Sequence, residues 1–146
     1  MAETKDISLS LVRIIKAPPE KVFAAWTEPK TLKLWMAPTV EMEVTVAETD
    51  LRVGGRYRIV MREPGGKEHR VGGVYKVIEK SRKISFTWGW EGSSDAETLV
   101  TVELRRNGAG TELTLTHSEF ANDKDRDMHN QGWMGCIGRL ETLFAA

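Results

Sequence analysis

Two histidines near the C-terminal end are the residues of this sequence whose chemistry could most readily be used. His117 and His129 lie twelve positions apart in the stretch LTLTHSEFANDKDRDMHNQGW, with several acidic side chains between them. Such a set could hold a metal ion, form an acid–base pair because imidazole titrates near neutral pH, or merely end a strand and begin a helix. The elements that carry the two side chains must decide among these three.

The spacing of the histidines argues against a metal site. A protein-bound zinc ion takes three or four ligands, and the sequence contains no His-x-x-x-His or His-Glu-x-x-His pair that could supply two from one helix face. We therefore predict neither a metal nor a cofactor. Acid–base catalysis by His117 or His129 stays open, but no nucleophile or oxyanion pattern accompanies them, and we assign no catalytic residue.

The segments before His117 have the alternation of β-strands. The stretch ISLSLVRII predicts a first strand, and Pro19, Pro29 and Pro38 bound two short helices after it. From residue 40 to residue 119 the hydrophobic period is two, which predicts six further antiparallel strands with one apolar face, including Val46 and Val77. The same parity points His117 inward at the end of the last strand.

The last segment returns to helical spacing, with apolar side chains at Trp133, Ile137, Leu140 and Phe144. We predict a helix from about Asp125 to Phe144, begun by a cap at Asn122 or Asp123. At roughly 100° per residue, His129 lies within about 40° of Trp133 and Cys136 within about 60° of it. The acidic residues at the helix start have a structural explanation, since they favour the positive end of the helix dipole.

Three glycines in this helix are unexpected, because each costs on the order of 1 kcal/mol relative to alanine in a helix interior. Gly132, Gly135 and Gly138 are spaced three apart beside the apolar stripe. They could allow close packing on the sheet or leave room for a guest molecule, and the sequence leaves both open. The Gly-Gly pairs of VGGRY and VGGVY lack the Lys-Ser/Thr ending of a phosphate loop and instead predict bends in the strands.

A sheet with one apolar face and a helix with one apolar stripe must bury those surfaces against each other. We therefore predict an α+β fold in which a curved antiparallel sheet wraps around a long C-terminal helix. Aromatic and methionine side chains converge in the space between them, where they could form an adaptable apolar pocket or simply a filled core. The residues predicted to line a ligand cavity are Tyr57, Met61, Tyr75, Phe86, Trp88, His117, His129, Trp133, Cys136 and Ile137.

Length and composition limit the remaining possibilities. The 146 residues fit one domain, residues 1–146, and the 21 basic residues balance 21 acidic ones, so we expect binding neither to nucleic acid nor to a membrane. Cys136 is the only cysteine, and the N-terminus MAETKDISLS has no apolar core typical of a secretory signal. These features predict a soluble cytoplasmic protein. Balanced charge also permits a homodimer.

Six stretches in order resemble a known family: APPEKVFAAWTEP, DLRVGGRYRIVM, GGVYKVIE, ISFTWGW, GTELTLTHSEF and HNQGWMGCIGRLETL. They resemble the activator of heat shock protein 90 ATPase homologue (Aha-type) family, within the START-like or SRPBCC superfamily. The resemblance implies the helix-grip (START-like, Bet v-like) fold, usually with a cavity for a small hydrophobic or amphipathic molecule.

The resemblance does not fix a function, because one fold can carry many. The superfamily includes carriers, hormone receptors, polyketide cyclases and ring-hydroxylase domains, and the metal ligands of those hydroxylases have no counterpart here. Our first hypothesis is a protein that binds a small hydrophobic molecule. The alternatives are a cyclase- or hydrolase-type enzyme using His117 or His129, and an interaction module that regulates a chaperone ATPase. In the eukaryotic activator a larger chaperone-binding domain precedes this one, and its absence from this sequence counts against the last alternative.

Overall fold

The structure is a computed structural model that describes residues 7–93 and 96–145; residues 1–6, which hold most of the polar N-terminus, lie outside this part. The elements in chain order are β1 (Leu9–Ile15), α1 (Pro19–Thr27), α2 (Pro29–Trp35), β2 (Glu43–Thr49), β3 (Arg56–Arg62), β4 (Glu68–Glu79), β5 (Lys83–Trp90), β6 (Thr98–Asn107), β7 (Gly110–Ser118) and α3 (Asp123–Leu143). Of the helices in the described ranges, none is long and apolar enough to cross a membrane.

The strands form one antiparallel sheet that curls into a half-barrel. Its order is β1-β7-β6-β5-β4-β3-β2, so β1 and β2 are the two edges. Helix α3 buries its apolar stripe in the core, with Trp133, Ile137 and Leu140 almost inaccessible to solvent. The predicted helix-grip fold is confirmed, including the two short helices after the first strand and the inward direction of His117.

Local sequence explains where the helices begin. Pro19 and Pro29 occupy the first turns of α1 and α2, where a missing backbone N–H costs nothing. Asn122 caps α3, and its Oδ1 accepts a hydrogen bond from the Asp125 backbone N–H at 2.8 Å. The helix therefore starts at Asp123, two residues before the predicted position, and ends one residue earlier than predicted.

Two β-bulges correct the predicted faces of the sheet. A register shift between Val44 and Val46 leaves Val46 half-buried and turns Ala47 into the core instead. A second shift, between Tyr75 and Val77, leaves Val77 half-buried. Each bulge adds one residue to a strand, so strict alternation fails beyond it.

Helix α3 approaches the α2–β2 connection closely at one point. A Cβ placed on Gly135 would lie 2.0 Å from the Pro38 carbonyl oxygen, so only glycine fits there. One turn further along, the Arg139 guanidinium donates to the carbonyl oxygens of Leu34, Ala37 and Thr39 at 3.2–3.3 Å. The close backbone approach and these hydrogen bonds hold α3 against the connection.

We expect Gly135→Ala to destabilise the protein by about 1–3 kcal/mol, because the new methyl group must push the helix away from Pro38. Gly138→Ala is the matched control: a Cβ there has no neighbouring atom within 4 Å. It should stabilise the helix by up to about 1 kcal/mol. Urea unfolding of both variants and the wild type measures the difference, and equal stability of the two variants would contradict the close approach.

Candidate functional site

A pocket of about 250 Å³ lies between the N-terminal half of α3 and the concave side of strands β3, β4 and β5. The strands contribute Met61, His69, Trp88 and Trp90, and the α2–β2 connection contributes Pro38. Helix α3 contributes five residues from one side of its surface. The residues that line the pocket are Pro38, Met61, His69, Trp88, Trp90, Met128, His129, Gly132, Trp133 and Cys136.

Helix α3 leaves space for the pocket at Gly132. The helix residues that line it fall within about 140° of arc, and Gly132 lies inside that arc, about 40° from one edge. A Cβ placed on Gly132 would meet no atom within 4 Å. The two explanations for the helix glycines therefore apply to different residues: Gly135 permits close packing, and Gly132 leaves open space.

The structure brings half of the predicted cavity residues to this pocket: Met61, Trp88, His129, Trp133 and Cys136. The other five do not line it. Three rings, those of Tyr57, Tyr75 and Phe86, pack against one another with centroids 5.2–6.2 Å apart, beside a separate void of only about 10 Å³. His117 and Ile137 are buried in the core. Contact of these five residues with a ligand stays a prediction.

His117 is fully buried and has a hydrogen-bond partner at each ring nitrogen. The Trp133 Nε1–H donates to His117 Nδ1 at 3.0 Å, and His117 Nε2 lies 2.6 Å from Thr98 Oγ1. Because an indole nitrogen can only donate, Nδ1 must be the unprotonated nitrogen and Nε2 carries the proton. The Thr98 hydroxyl then donates to the Trp88 carbonyl oxygen at 3.2 Å.

His129 also accepts an indole hydrogen bond, but here the histidine is on the helix and the tryptophan is on a strand. The Trp90 Nε1–H, on β5, donates to His129 Nε2 at 3.0 Å. His129 Nδ1 therefore holds the proton and donates to the Asp125 carbonyl oxygen, one turn earlier in α3, at 2.8 Å. Each of these histidines thus uses its only unprotonated nitrogen to accept an indole N–H.

These bonds favour the neutral form of His117. Burial, with a smaller contribution from the nearby His129, lowers the pKa of His117 to about 3. Protonating it would also replace the Trp133 hydrogen bond with a contact between two donors. His117 therefore has no lone pair available to act as a base in this arrangement.

Metal chelation finds no geometric support among residues 7–93 and 96–145. Nowhere in that part of the chain do three or more His, Cys, Asp or Glu side chains cluster closely enough to hold an ion. The rings of His117 and His129 are near each other, with centroids 5.1 Å apart, but all their nitrogens already have protein partners.

Cys136 adds to the apolar character of the pocket. Its side chain is buried, and desolvation raises the pKa of the thiol to about 12, against a smaller opposing effect of Arg139. The thiol therefore stays protonated at neutral pH, and its reactivity toward oxidants or electrophiles is low. It acts as a small apolar wall residue.

Sequence reasoning missed five lining residues: Pro38, His69, Trp90, Met128 and Gly132. A signal existed for some of them. Trp90 shares strand parity with Trp88, and His69 shares it with Val71, so both belong to the inward face. Gly132 was identified as a possible opening without being assigned to the cavity. Pro38 lies in a connection, where neither periodicity applies.

A wider depression of about 680 Å³ on the other face of the sheet is lined mainly by polar and charged residues. Its best-defined ion pair joins Arg58 Nε to Glu91 Oε2 at 2.8 Å, and this hydrogen bond lowers the pKa of Glu91. The lining holds four acidic residues, Glu48, Asp50, Glu91 and Glu97, against two arginines, Arg56 and Arg58, so the depression disfavours an anion and lacks the apolar walls of the concave pocket. The concave pocket is the better candidate site.

Comparison with known proteins identifies the family of the chain. The family described as activator of Hsp90 ATPase homolog 1-like protein matches residues 16–145. The chain belongs to this family. The family resemblance of the six sequence stretches is thereby confirmed. In sequence, no protein with a curated description matches the chain.

Solved structures of similar proteins have the same fold. The AHSA1 protein SPO3351 from Silicibacter pomeroyi is 27% identical with a TM-score of 0.83, over 95% of this chain and 98% of that one. Protein CV1439 from Chromobacterium violaceum is 25% identical with a TM-score of 0.82, over 95% and 97%. An AHSA1-like protein from Aeromonas hydrophila, at 23% identity and a TM-score of 0.81 over 93% and 90%, supports the fold alone.

We expect stability to fall with acidification between pH 7 and pH 5 because of His117. Its pKa is about 3 in the folded protein and about 6.5 when unfolded, so the unfolded chain binds the extra proton in this window. The loss should be about 2 kcal/mol of unfolding free energy. Most carboxylates stay ionised over this range.

Urea unfolding at both pH values, compared between the wild type and His117→Gln, measures this contribution. The variant should lose less stability on acidification by about the same 2 kcal/mol. Equal losses in the two proteins would mean that His117 accepts a proton in the native state.

Proposed function

We propose that this family member binds a small, mainly apolar molecule in the pocket between α3 and the sheet. The observation that carries the proposal is the combination of three indole rings, Trp88, Trp90 and Trp133, with the missing side chain at Gly132. Aromatic side chains offer large, rigid contact area, and a ligand that covers them gains roughly 25 cal/mol per Å² of apolar surface removed from water.

The size of the pocket limits the ligand. A volume of about 250 Å³ accommodates on the order of ten non-hydrogen atoms, if each takes up about as much space as a water molecule does in the liquid. A single aromatic ring with a short substituent meets this limit. A long lipid chain exceeds it unless part of the molecule remains outside, toward the exposed Met128.

The enzymatic alternative has less support from the site. A general base needs a free lone pair, and the unprotonated nitrogens of His117 and His129 both accept indole hydrogen bonds. Chaperone regulation is supported only by the description of the family. Steady-state ATPase activity of a chaperone, measured with and without the protein, tests that alternative directly.

A cytoplasmic location forms part of the proposal. It is supported by the single cysteine, buried and chemically unreactive, which suits a reducing compartment. The proposed ligand would then be a small metabolite of the cell interior, present as a neutral or weakly polar compound.

We expect Gly132→Leu to abolish binding of a small apolar probe such as isopropenylbenzene. The leucine side chain would extend from a position inside the lining arc into the space that the probe needs. Gly138→Leu is the matched control, because this glycine also has open space around it but lies on the opposite side of the helix, away from the pocket.

Shifts of the indole N–H signals in NMR spectra of ¹⁵N-labelled protein measure binding. In the wild type and in Gly138→Leu, the probe should shift the signals of the pocket residues Trp88, Trp90 and Trp133 more than those of Trp26 and Trp35. Shifts of the same size in Gly132→Leu would place the binding site elsewhere.

A further inference from the structure

We infer that the ligand is an uncharged hydroxy compound whose hydroxyl group bonds to Nδ1 of His69. This inference rests on the function proposed above and specifies the ligand class. It follows from a comparison of the side-chain nitrogens of the residues that line the pocket. Among these nitrogens, His69 Nδ1 is the one that a ligand can reach without breaking an existing bond.

The tryptophans and His129 offer a ligand no available nitrogen. Trp90 Nε1 and Trp133 Nε1 each donate to a histidine nitrogen, and His129 Nδ1 donates to a backbone carbonyl oxygen. Trp88 Nε1 has no partner, but it is buried out of reach of solvent, so it is not accessible to a guest either. A ligand could use these groups only by displacing a hydrogen bond or by opening the core.

His69 differs from these residues because one of its ring nitrogens is accessible. It lies on β4 opposite Met61 of β3, and both side chains line the pocket. The His69 side chain is 34% exposed, and its Nε2 is hydrogen-bonded to Glu63 Oε2 at 2.5 Å. Within the described ranges Nδ1 has no partner, and it is not sealed from solvent. An apolar pocket therefore has one free polar contact in its wall.

Glu63 sets the direction of the His69 ring. An ionised carboxylate can only accept a hydrogen bond, so His69 Nε2 carries a proton and donates. Because the two nitrogens lie on different sides of the ring, Nδ1 points away from Glu63, which does not itself line the pocket. The ring also packs against Trp90 in a T-shaped arrangement, with centroids 6.5 Å apart. A ring held in this way loses less entropy when it bonds a ligand than a free one would.

A hydroxyl group matches Nδ1 in both protonation states of the ring. It donates to the lone pair of neutral imidazole, and its oxygen accepts from the N–H of the protonated form. A ketone or ether oxygen can bond only to the protonated form. A carboxylate has the same restriction, and it would meet the negative charge of Glu63 with no lysine or arginine on the pocket wall. This chemistry favours a neutral alcohol or phenol with an apolar body.

Four probes with the same para-methylphenyl body test this class: p-cresol, p-xylene, 4-methylanisole and p-toluate. Their variable groups are hydroxyl, methyl, methoxy and carboxylate, and all four compounds lie within the size limit of the pocket. We expect p-cresol to bind roughly three- to tenfold more tightly than p-xylene, as a single hydrogen bond allows. The methoxy and carboxylate compounds should also bind less tightly than p-cresol.

The imidazole nitrogen signals of the wild-type protein report the hydrogen bond directly. In NMR spectra of ¹⁵N-labelled protein, the His69 Nδ1 signal should move several-fold further on saturation with p-cresol than with p-xylene. Equal movement with both probes would contradict the bond. Because this measurement uses the unaltered protein, it decides the role of His69 even where a variant fails to fold.

Substitutions separate the roles of the histidine and the glutamate. His69→Phe removes both nitrogens but keeps a flat ring beside Trp90, and it should abolish the preference for p-cresol over p-xylene. Glu63→Ala releases the imidazole, and should weaken binding of p-cresol more than binding of p-xylene; equal losses would overturn the positioning role of Glu63. Glu68→Ala is the matched control and should leave the preference unchanged, because Glu68 bonds Arg70 and neither residue lines the pocket.

The possible outcomes separate this inference from the proposed function. Equal affinities of the wild type for p-cresol and p-xylene, with the pocket indole signals shifted, would overturn the role of His69 and leave the binding function standing. Tighter binding of 4-methylanisole or p-toluate than of p-cresol would overturn the hydroxyl class. If none of the four probes shifted the indole signals of Trp88, Trp90 or Trp133, both the inference and the proposed function would be wrong.

Discussion

Two indole–imidazole hydrogen bonds hold the candidate site together. One runs from Trp133 on α3 to His117 on β7, and the other from Trp90 on β5 to His129 on α3. Each joins helix to sheet, with the donor on the helix in one case and on a strand in the other. Because indole is only a donor, both bonds require a neutral histidine. They fix the position of α3 over the strands at the depth where the pocket lies.

The same bonds explain why a wall with two imidazoles nearby is largely apolar. The unprotonated nitrogens of both rings accept hydrogen bonds from tryptophans inside the protein, so they present no free acceptor to the pocket. The chain of bonds from Trp133 through His117 and Thr98 ends at the Trp88 carbonyl oxygen. The backbone of Trp88 is therefore held by the network while its indole N–H remains unpaired. A satisfied buried network of this kind is rigid, which favours a preformed pocket.

The sequence predicted the fold well because its signals were periodic. Strand parity placed His117 inward, and helical spacing placed Trp133 on the buried stripe, because each depends only on the geometry of one element. The bulges next to Val46 and Val77 were not predictable in this way, since an inserted residue shifts the alternation without changing composition. The pocket itself depends on how the sheet curls and on where the connection containing Pro38 lies. The periodicity of a single helix or strand predicts neither.

Specificity in this fold must come from side chains rather than from the backbone. The Silicibacter and Chromobacterium proteins share nearly the whole backbone course with this chain at about a quarter of identical residues. A common backbone therefore tolerates extensive replacement of side chains, and fold alone does not fix a ligand. Here the close approach at Gly135 sets the height of the helix, and Gly132 sets the free space beneath it. The indole N–H groups of Trp90 and Trp133 are satisfied within the protein, so these rings offer a guest mainly apolar surface.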